Sequence, residues 1–205
     1  MSPAPDLAAR VREAALLEGD FVLSSGKRSY FYVDKYLFST EPALLRDVAQ
    51  ALSETLPPDV DRLAGVELGA VPLVVATALH TGLPYVIVRK AVKEYGGSPG
   101  RAVEGAIEGG ERVVLLEDVV STGTQALRAA RELAGLGVDV VKVVAVLDRR
   151  DEPSEKLEEF AFESLLRIAD LGVGKGIEAA KRLWYSPPDS FGEGSASGKR
   201  RQSQA

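Results

Sequence analysis

The 205-residue chain is 45% apolar and 27% charged, with a formal net charge of −5; that length suits one domain with a sizeable core, and the acidic balance argues against a nucleic-acid binder. It has no cysteine and one histidine, His80, which excludes disulfides, thiol chemistry and two-histidine metal sites. No apolar run approaches the roughly 18 residues of a membrane span, and the opening MSPAPDLAARVREA lacks the apolar core of a secretory signal, so a cytoplasmic protein with no membrane contact is expected.

Residues 6–17 have helical spacing, with Leu7, Val11, Ala14 and Ala15 on one face. In FVLSSGKRSYFYVD (21–34) two β-rich runs flank a Ser-Ser-Gly-Lys turn, which predicts a hairpin. A helix is predicted over 41–56, with Pro42 near its start and Pro57-Pro58 ending it. The pattern then alternates: strand 62–68, helix 72–81, strand 84–90, a glycine-rich stretch 94–110, strand 113–120, helix 124–136, strand 138–148. Apolar strands alternating with helices predict an α/β fold on a parallel sheet covered on both faces. The first helix and the hairpin stand outside that alternation and predict a small N-terminal hood over about 1–40. His80 ends a predicted helix, where a histidine has a structural reading. Segments 162–171 and 175–184 read as terminal helices. SFGEGSASGKRRQSQA (190–205) reads as disordered, so the domain is drawn at 1–188 and a tail at 189–205.

The segment with the most chemistry is VVLLEDVVSTGTQ, 113–125. An apolar strand ends in two adjacent acids, Glu117 and Asp118, followed by Val119, Val120, Ser121, Thr122, Gly123, Thr124 and Gln125 as a helix begins. Ligands of open α/β sheets bind outside the carboxyl ends of the strands, and a helix N-terminus suits phosphate. Hydroxyls on Ser121, Thr122 and Thr124 add donors, and Gly123 lets the backbone approach an anion. The carboxylates would repel phosphate but accept hydrogen bonds from vicinal sugar hydroxyls. A sugar 5-phosphate spans such an arrangement. Helix capping by Ser121 or Thr122 is the plainer alternative, but it gives no reason for two acids ending an apolar strand. No P-loop pattern occurs, and GVGKG near Gly172 follows a predicted helix, so it is not a dinucleotide fingerprint.

This segment resembles the phosphoribosyl-pyrophosphate motif of the type I phosphoribosyltransferases, with Glu117 where many members carry aspartate. The resemblance implies that family's parallel-sheet fold beneath an N-terminal hood, with Glu117 and Asp118 on ribose hydroxyls and 119–125 binding the 5-phosphate. Three further segments resemble the orotate branch. FVLSSGKRSYFYVDKYLF (21–38) is similar to the hairpin that covers the base, with Tyr30, Phe31 and Tyr32 near orotate; some members carry a lysine where Ser24 stands, and Lys27 is the nearby alternative. VRKAVKEYGG (88–97) resembles a mobile loop that closes over the neighbouring subunit's site. There Arg89, Lys90, Lys93 and Tyr95 would meet the pyrophosphate donor, and Lys93 would aid departure of pyrophosphate. In VLDRRDE (146–152) the resemblance puts Arg149 on the orotate carboxylate, with Ser121 also near orotate. GVELGAVPL (65–73) resembles the family's pyrophosphate loop, with Gly69 where some relatives place lysine.

The resemblance implies Mg²⁺-dependent transfer of phosphoribosyl from phosphoribosyl pyrophosphate to orotate, giving orotidine 5′-monophosphate in pyrimidine synthesis. Lys93 and Asp118 take the catalytic roles. Mg²⁺ is expected on pyrophosphate and ribose oxygens and waters, not in a protein cage. A homodimer with shared sites is expected, and no nucleic-acid partner. The competing readings are a purine or uracil phosphoribosyltransferase, which has no need of Arg149 as a carboxylate grip, and a non-catalytic regulator on the same fold.

Overall fold

The computed structural model describes residues 5–22, 28–91 and 102–173. Helix α1 (Pro5–Ala15) buries Leu7, Val11 and Ala15, four residues apart, as the spacing predicts. The helix stops at Ala15, two residues before the expected end, and the chain is extended from Leu16. Strands β1 (Leu16–Val22) and β2 (Arg28–Val33) form an antiparallel hairpin in which Leu16 pairs with Val33 and Leu17 with Tyr32. Ser24 and Lys27 lie outside the described residues. A short helix that the periodicity did not reveal, α2 (Lys35–Thr40), follows at once: the Asp34 side chain accepts the Tyr36 N–H at 3.0 Å, and Phe38 is buried beneath it. Helix α3 (Pro42–Glu54) begins with proline at its first turn. The Glu41 carboxylate accepts the N–H groups of Ala43 and Leu44, which hold its carboxyl below the usual range.

The alternating region folds as β3 (Arg62–Val66), α4 (Val71–Thr81), β4 (Tyr85–Val88), β5 (Val103–Glu104), β6 (Arg112–Val120), α5 (Thr124–Gly135), β7 (Asp139–Asp148), β8 (Lys156–Leu157) and β9 (Phe160–Arg167), closed by a 3₁₀ turn at Ile168–Leu171. The sheet order is β5-β4-β3-β6-β7-β9-β8. Neighbours among β4, β3, β6, β7 and β9 are parallel, and the two short edge strands run antiparallel. Side chains alternate along β6: Val114 and Leu116 pack with the layer of α1 to α4, whereas Val113 and Leu115 pack with α5. Both faces are covered, which is why these strands are continuous apolar runs.

One expectation fails. Residues 162–171 do not form a helix but most of β9 and its 3₁₀ turn. Phe162, Leu165, Leu166 and Ala169 mimic helical spacing. Pairing against β7, with Val143 opposite Phe162 and Leu147 opposite Leu166, overrides it and buries Phe162, Leu165 and Leu166. Segment 175–184 and the tail lie outside the described residues.

The topology positions the site. From β3 the chain passes to β4 on one side and then returns to β6 on the other. The carboxyl ends of β3 and β6 therefore flank a switch point, where a crevice forms because the two connections leave in opposite directions.

Candidate functional site at the sheet switch point

Glu117 and Asp118 stand at this crevice, both almost fully buried. Alternation along β6 sends Asp118 to the side of Val114 and Leu116, towards the hood. Its Oδ1 accepts the Val119 N–H at 2.6 Å, and its Oδ2 lies 2.7 Å from Lys35 Nζ at the first residue of α2, close in distance but outside hydrogen-bonding angles. Burial opposes the charge on Lys35, yet Asp118 outweighs it and holds the ammonium above its usual range. Glu117 differs: its Oε2 is buried with no hydrogen-bond partner among the described residues. Burial first, and Asp118 second, push its carboxyl up to about 9. Burial and the neighbouring acid thus favour the protonated form of Glu117.

The turn after β3 faces these acids. It contains a cis peptide between Glu67 and Leu68. A Cβ on Gly69 would fall 1.4 Å from Asp118 Oδ2, so no side chain fits there while Asp118 keeps this position. Glu67 accepts the Lys90 N–H at 2.5 Å, and Arg89 lies between Glu67 (4.0 Å) and Glu104 (3.1 Å). These contacts tie the exits of β3 and β4 together. Arg89, Lys90 and Gln125 line one small cavity, which joins the cation-rich strand end to the start of α5. A larger groove of about 490 Å³ runs from Thr124 along the outer side of α5, and neither hollow is lined by Glu117 or Asp118. Lys93 and Tyr95 lie outside the described residues.

Beyond the acids, Val119 is half-buried, Val120 is buried, and Ser121, Thr122, Thr124 and Gln125 are exposed at the sheet edge. The N-cap residue of α5, Gly123, makes no side-chain cap; the Thr122 hydroxyl accepts the Thr124 N–H at 3.4 Å and lies 3.0 Å from the Thr124 hydroxyl. The capping alternative is met in part by this long Thr122 bond, which gives no reason for the two acids, and the helix N-terminus faces outward with hydroxyls around it. Gly123 has φ 83, and a Cβ there would fall 2.3 Å from Leu157 Cδ1. Packing against β8 is thus a second reason for glycine, beside access for an anion.

On the other side of the acids, β7 pairs in parallel with β6, with Val120 opposite Asp148, so Arg149 leaves the sheet at the same edge. Its guanidinium carbon lies 5.5 Å from the centre of the Phe31 ring in the hood. Arg149 has no carboxylate partner among the described residues, and burial lowers its pKa, with Tyr32 partly opposing. Its neighbour Arg150 is bound on every side: to Asp148 at 2.9 Å, to the carbonyls of Ser154 and Lys156, and over the Phe162 ring at 4.2 Å. The sequence singles out Arg149, Glu117 and Asp118. It did not single out Lys35, Glu67 or Glu104, whose local sequence carries no signal of distant partners.

The profile of the phosphoribosyl transferase domain matches residues 39–165. The chain is 47% identical to the orotate phosphoribosyltransferase of Natronomonas pharaonis over 75% of its own length and 87% of that protein. The chain belongs to the orotate phosphoribosyltransferases. A relative from Pyrococcus horikoshii is 40% identical over 82% of this chain and 91% of its own. Among solved structures, the Mycobacterium tuberculosis orotate phosphoribosyltransferase in complex with 5-phospho-α-D-ribosyl 1-diphosphate superposes with a TM-score of 0.69 at 30% identity, covering 82% of this chain and 98% of that one. An adenine phosphoribosyltransferase from Leishmania tarentolae, 21% identical with a TM-score of 0.58 over 80% of this chain and 88% of its own, shares the fold. No helix among the described residues is long and apolar enough to cross a membrane.

Proposed function

We propose that this orotate phosphoribosyltransferase joins orotate to phosphoribosyl pyrophosphate, releasing pyrophosphate, with the ribose laid across the exit of β6. The supporting observation is the order of chemistry along one sheet edge. Arg89 and Lys90 stand at the end of β4, the acids and the hydroxyl-lined helix start at the end of β6, and the unpaired Arg149 at the end of β7. A displacement with inversion needs leaving group and nucleophile on opposite sides of the anomeric carbon. Cations for the diphosphate on one side of the acids and a carboxylate grip for orotate on the other supply that order.

Asp118 accepts a ribose hydroxyl hydrogen bond, and Glu117, whose carboxyl burial pushes up, can donate as well as accept. Backbone N–H groups and hydroxyls over 121–125 hold the 5-phosphate. Arg149 forks the orotate carboxylate beneath Phe31, with the charge-assisted strength of a desolvated pair. Ser121 adds a polar contact to the base. Mg²⁺ would be carried by the substrate rather than by a protein cage, and would supply positive charge to offset that on the leaving group. Lys93 and Tyr95, in the sequence that follows β4, meet the pyrophosphate donor as in the resembling family, and Lys93 aids departure of pyrophosphate. Positioning and electrostatics supply most of the acceleration. The setting is cytoplasmic, in keeping with a chain free of cysteine.

The test is incubation with phosphoribosyl pyrophosphate, Mg²⁺ and each base separately. Orotate should be consumed, and uracil, adenine and hypoxanthine left. Turnover of one of those bases without orotate contradicts the reading. We also propose a homodimer in which the 92–101 loop reaches the partner's site. Mixing Lys93→Ala with Asp118→Asn subunits, each inactive alone, should restore activity in hybrid dimers; hybrids that form and stay inactive contradict shared sites.

A further inference from the structure

Lys35 carries a charge from the hood into the crevice. Its Nζ lies 2.7 Å from Asp118 Oδ2 and 3.1 Å from the point where a Cβ on Gly69 would stand, so it sits where the exits of β3 and β6 meet. Its side chain is 31% exposed, against 2% for Asp118. The ammonium therefore has a buried carboxylate on one side and the open crevice on the other. An ammonium has three N–H donors. Asp118 Oδ2 engages one direction only, and the Tyr36 ring, 5.6 Å away, offers its face. Gly69 supplies no cation from the β3 turn, and with Asp118 in this position a Cβ there would stand 1.4 Å from its Oδ2. Arg89, a further diphosphate cation along the same edge, shares its charge with Glu104 at 3.1 Å and Glu67 at 4.0 Å.

A furanose whose hydroxyls meet Glu117 and Asp118, and whose 5-phosphate meets the start of α5, points its C1 away from α5. C1 and the phosphate-bearing arm leave the ring on opposite sides of the ring oxygen. The group on C1 is thereby directed towards the exits of β3 and β4, where Lys35 stands.

We propose that Lys35 is a diphosphate-binding residue: one side of its ammonium stays on Asp118 and a free N–H meets the leaving diphosphate. One cation then joins the hood, the ribose acid and the leaving group. Seating of the hood and binding of the donor become linked, because the lysine that closes α2 against Asp118 is the one that the diphosphate engages.

The inference rests on the proposed reading of the site, and the experiment separates the two. Inorganic pyrophosphate with Mg²⁺, and separately ribose 5-phosphate, are titrated calorimetrically into the full-length wild type, Lys35→Met and Lys35→Arg. Lys35→Met should weaken pyrophosphate by about tenfold or more, the loss of one charge-assisted hydrogen bond, and leave ribose 5-phosphate much closer to wild type. Lys35→Arg should recover most of the pyrophosphate affinity. Unchanged pyrophosphate binding in Lys35→Met overturns the proposal. So does an equal loss of both ligands with a lowered melting temperature, which marks a residue that only holds the fold. Wild-type protein that binds both ligands but turns over no orotate would overturn the orotate reading, and the Lys35 arms would still decide this inference.

Discussion

Two parallel strands end side by side, each in a pair of like-charged residues, and in each pair the members differ. At the end of β7, Arg150 is paired with Asp148, two carbonyls and a ring, whereas Arg149 rests over Phe31 with no carboxylate among the described residues. At the end of β6 both acids keep a buried oxygen without a hydrogen-bond partner among the described residues, Glu117 Oε2 and Asp118 Oδ2, but Asp118 also has Lys35 at 2.7 Å and accepts the Val119 N–H, which Glu117 does not. In a fold that satisfies nearly all its buried polar groups, the unmatched groups mark where a ligand belongs. At β7 the matched member, Arg150, holds the strand end in shape.

The largest expected effect sharpens this contrast at β7. Arg150→Ala leaves Asp148 buried without its partner and should lower the unfolding free energy by about 3–5 kcal/mol, read by denaturant melts, with little change in KM for orotate. Arg149→Ala should do the reverse. It lowers kcat/KM with orotate by about a hundredfold and leaves the melting curve almost where it was, because a half-buried cation without a carboxylate adds little to the fold. If the two variants exchange these outcomes, the contrast is broken.

A smaller effect concerns Glu117. Its folded-state pKa, about 9, lies above the ordinary 4.5. Between those values the folded chain keeps a proton that the unfolded chain has lost, so the group costs stability increasingly as pH rises and costs none below the ordinary value. Glu117→Gln removes that dependence. Its melting temperature should fall less than the wild type's between about pH 5 and about pH 9, by a few degrees. Parallel curves for the two proteins would mean that Glu117 is ionised at neutral pH in the folded chain.

Much of this was legible in the sequence because the informative signals are local. The runs that became β3, β6 and β7 are apolar throughout since both faces are covered, and Glu117-Asp118 interrupts one of them at its carboxyl end. Arg149 was legible only through resemblance: nothing local separates it from Arg150, and the distinction lies in Phe31 and Asp148. The failures are tertiary. Residues 162–171 carry a helical spacing that pairing with β7 overrides. Helix α2 is one short turn set by the Asp34 cap, and Lys35 reads as an ordinary surface lysine until the hood folds it against Asp118. Gly69 stands where some relatives place lysine, and in this structure Asp118 Oδ2 takes the space a side chain there would need.

The central claim is a direction across the sheet edge, with the diphosphate on the β3 and β4 side of the acids and the base on the β7 side. A crystal structure of the protein with orotidine 5′-monophosphate tests it most directly. The account predicts the phosphate on the 121–125 backbone, ribose hydroxyls on Glu117 and Asp118, and the base carboxylate on the Arg149 guanidinium beneath Phe31. A nucleotide bound with its base towards Arg89 and Lys90, or with Arg149 still unengaged, would contradict it.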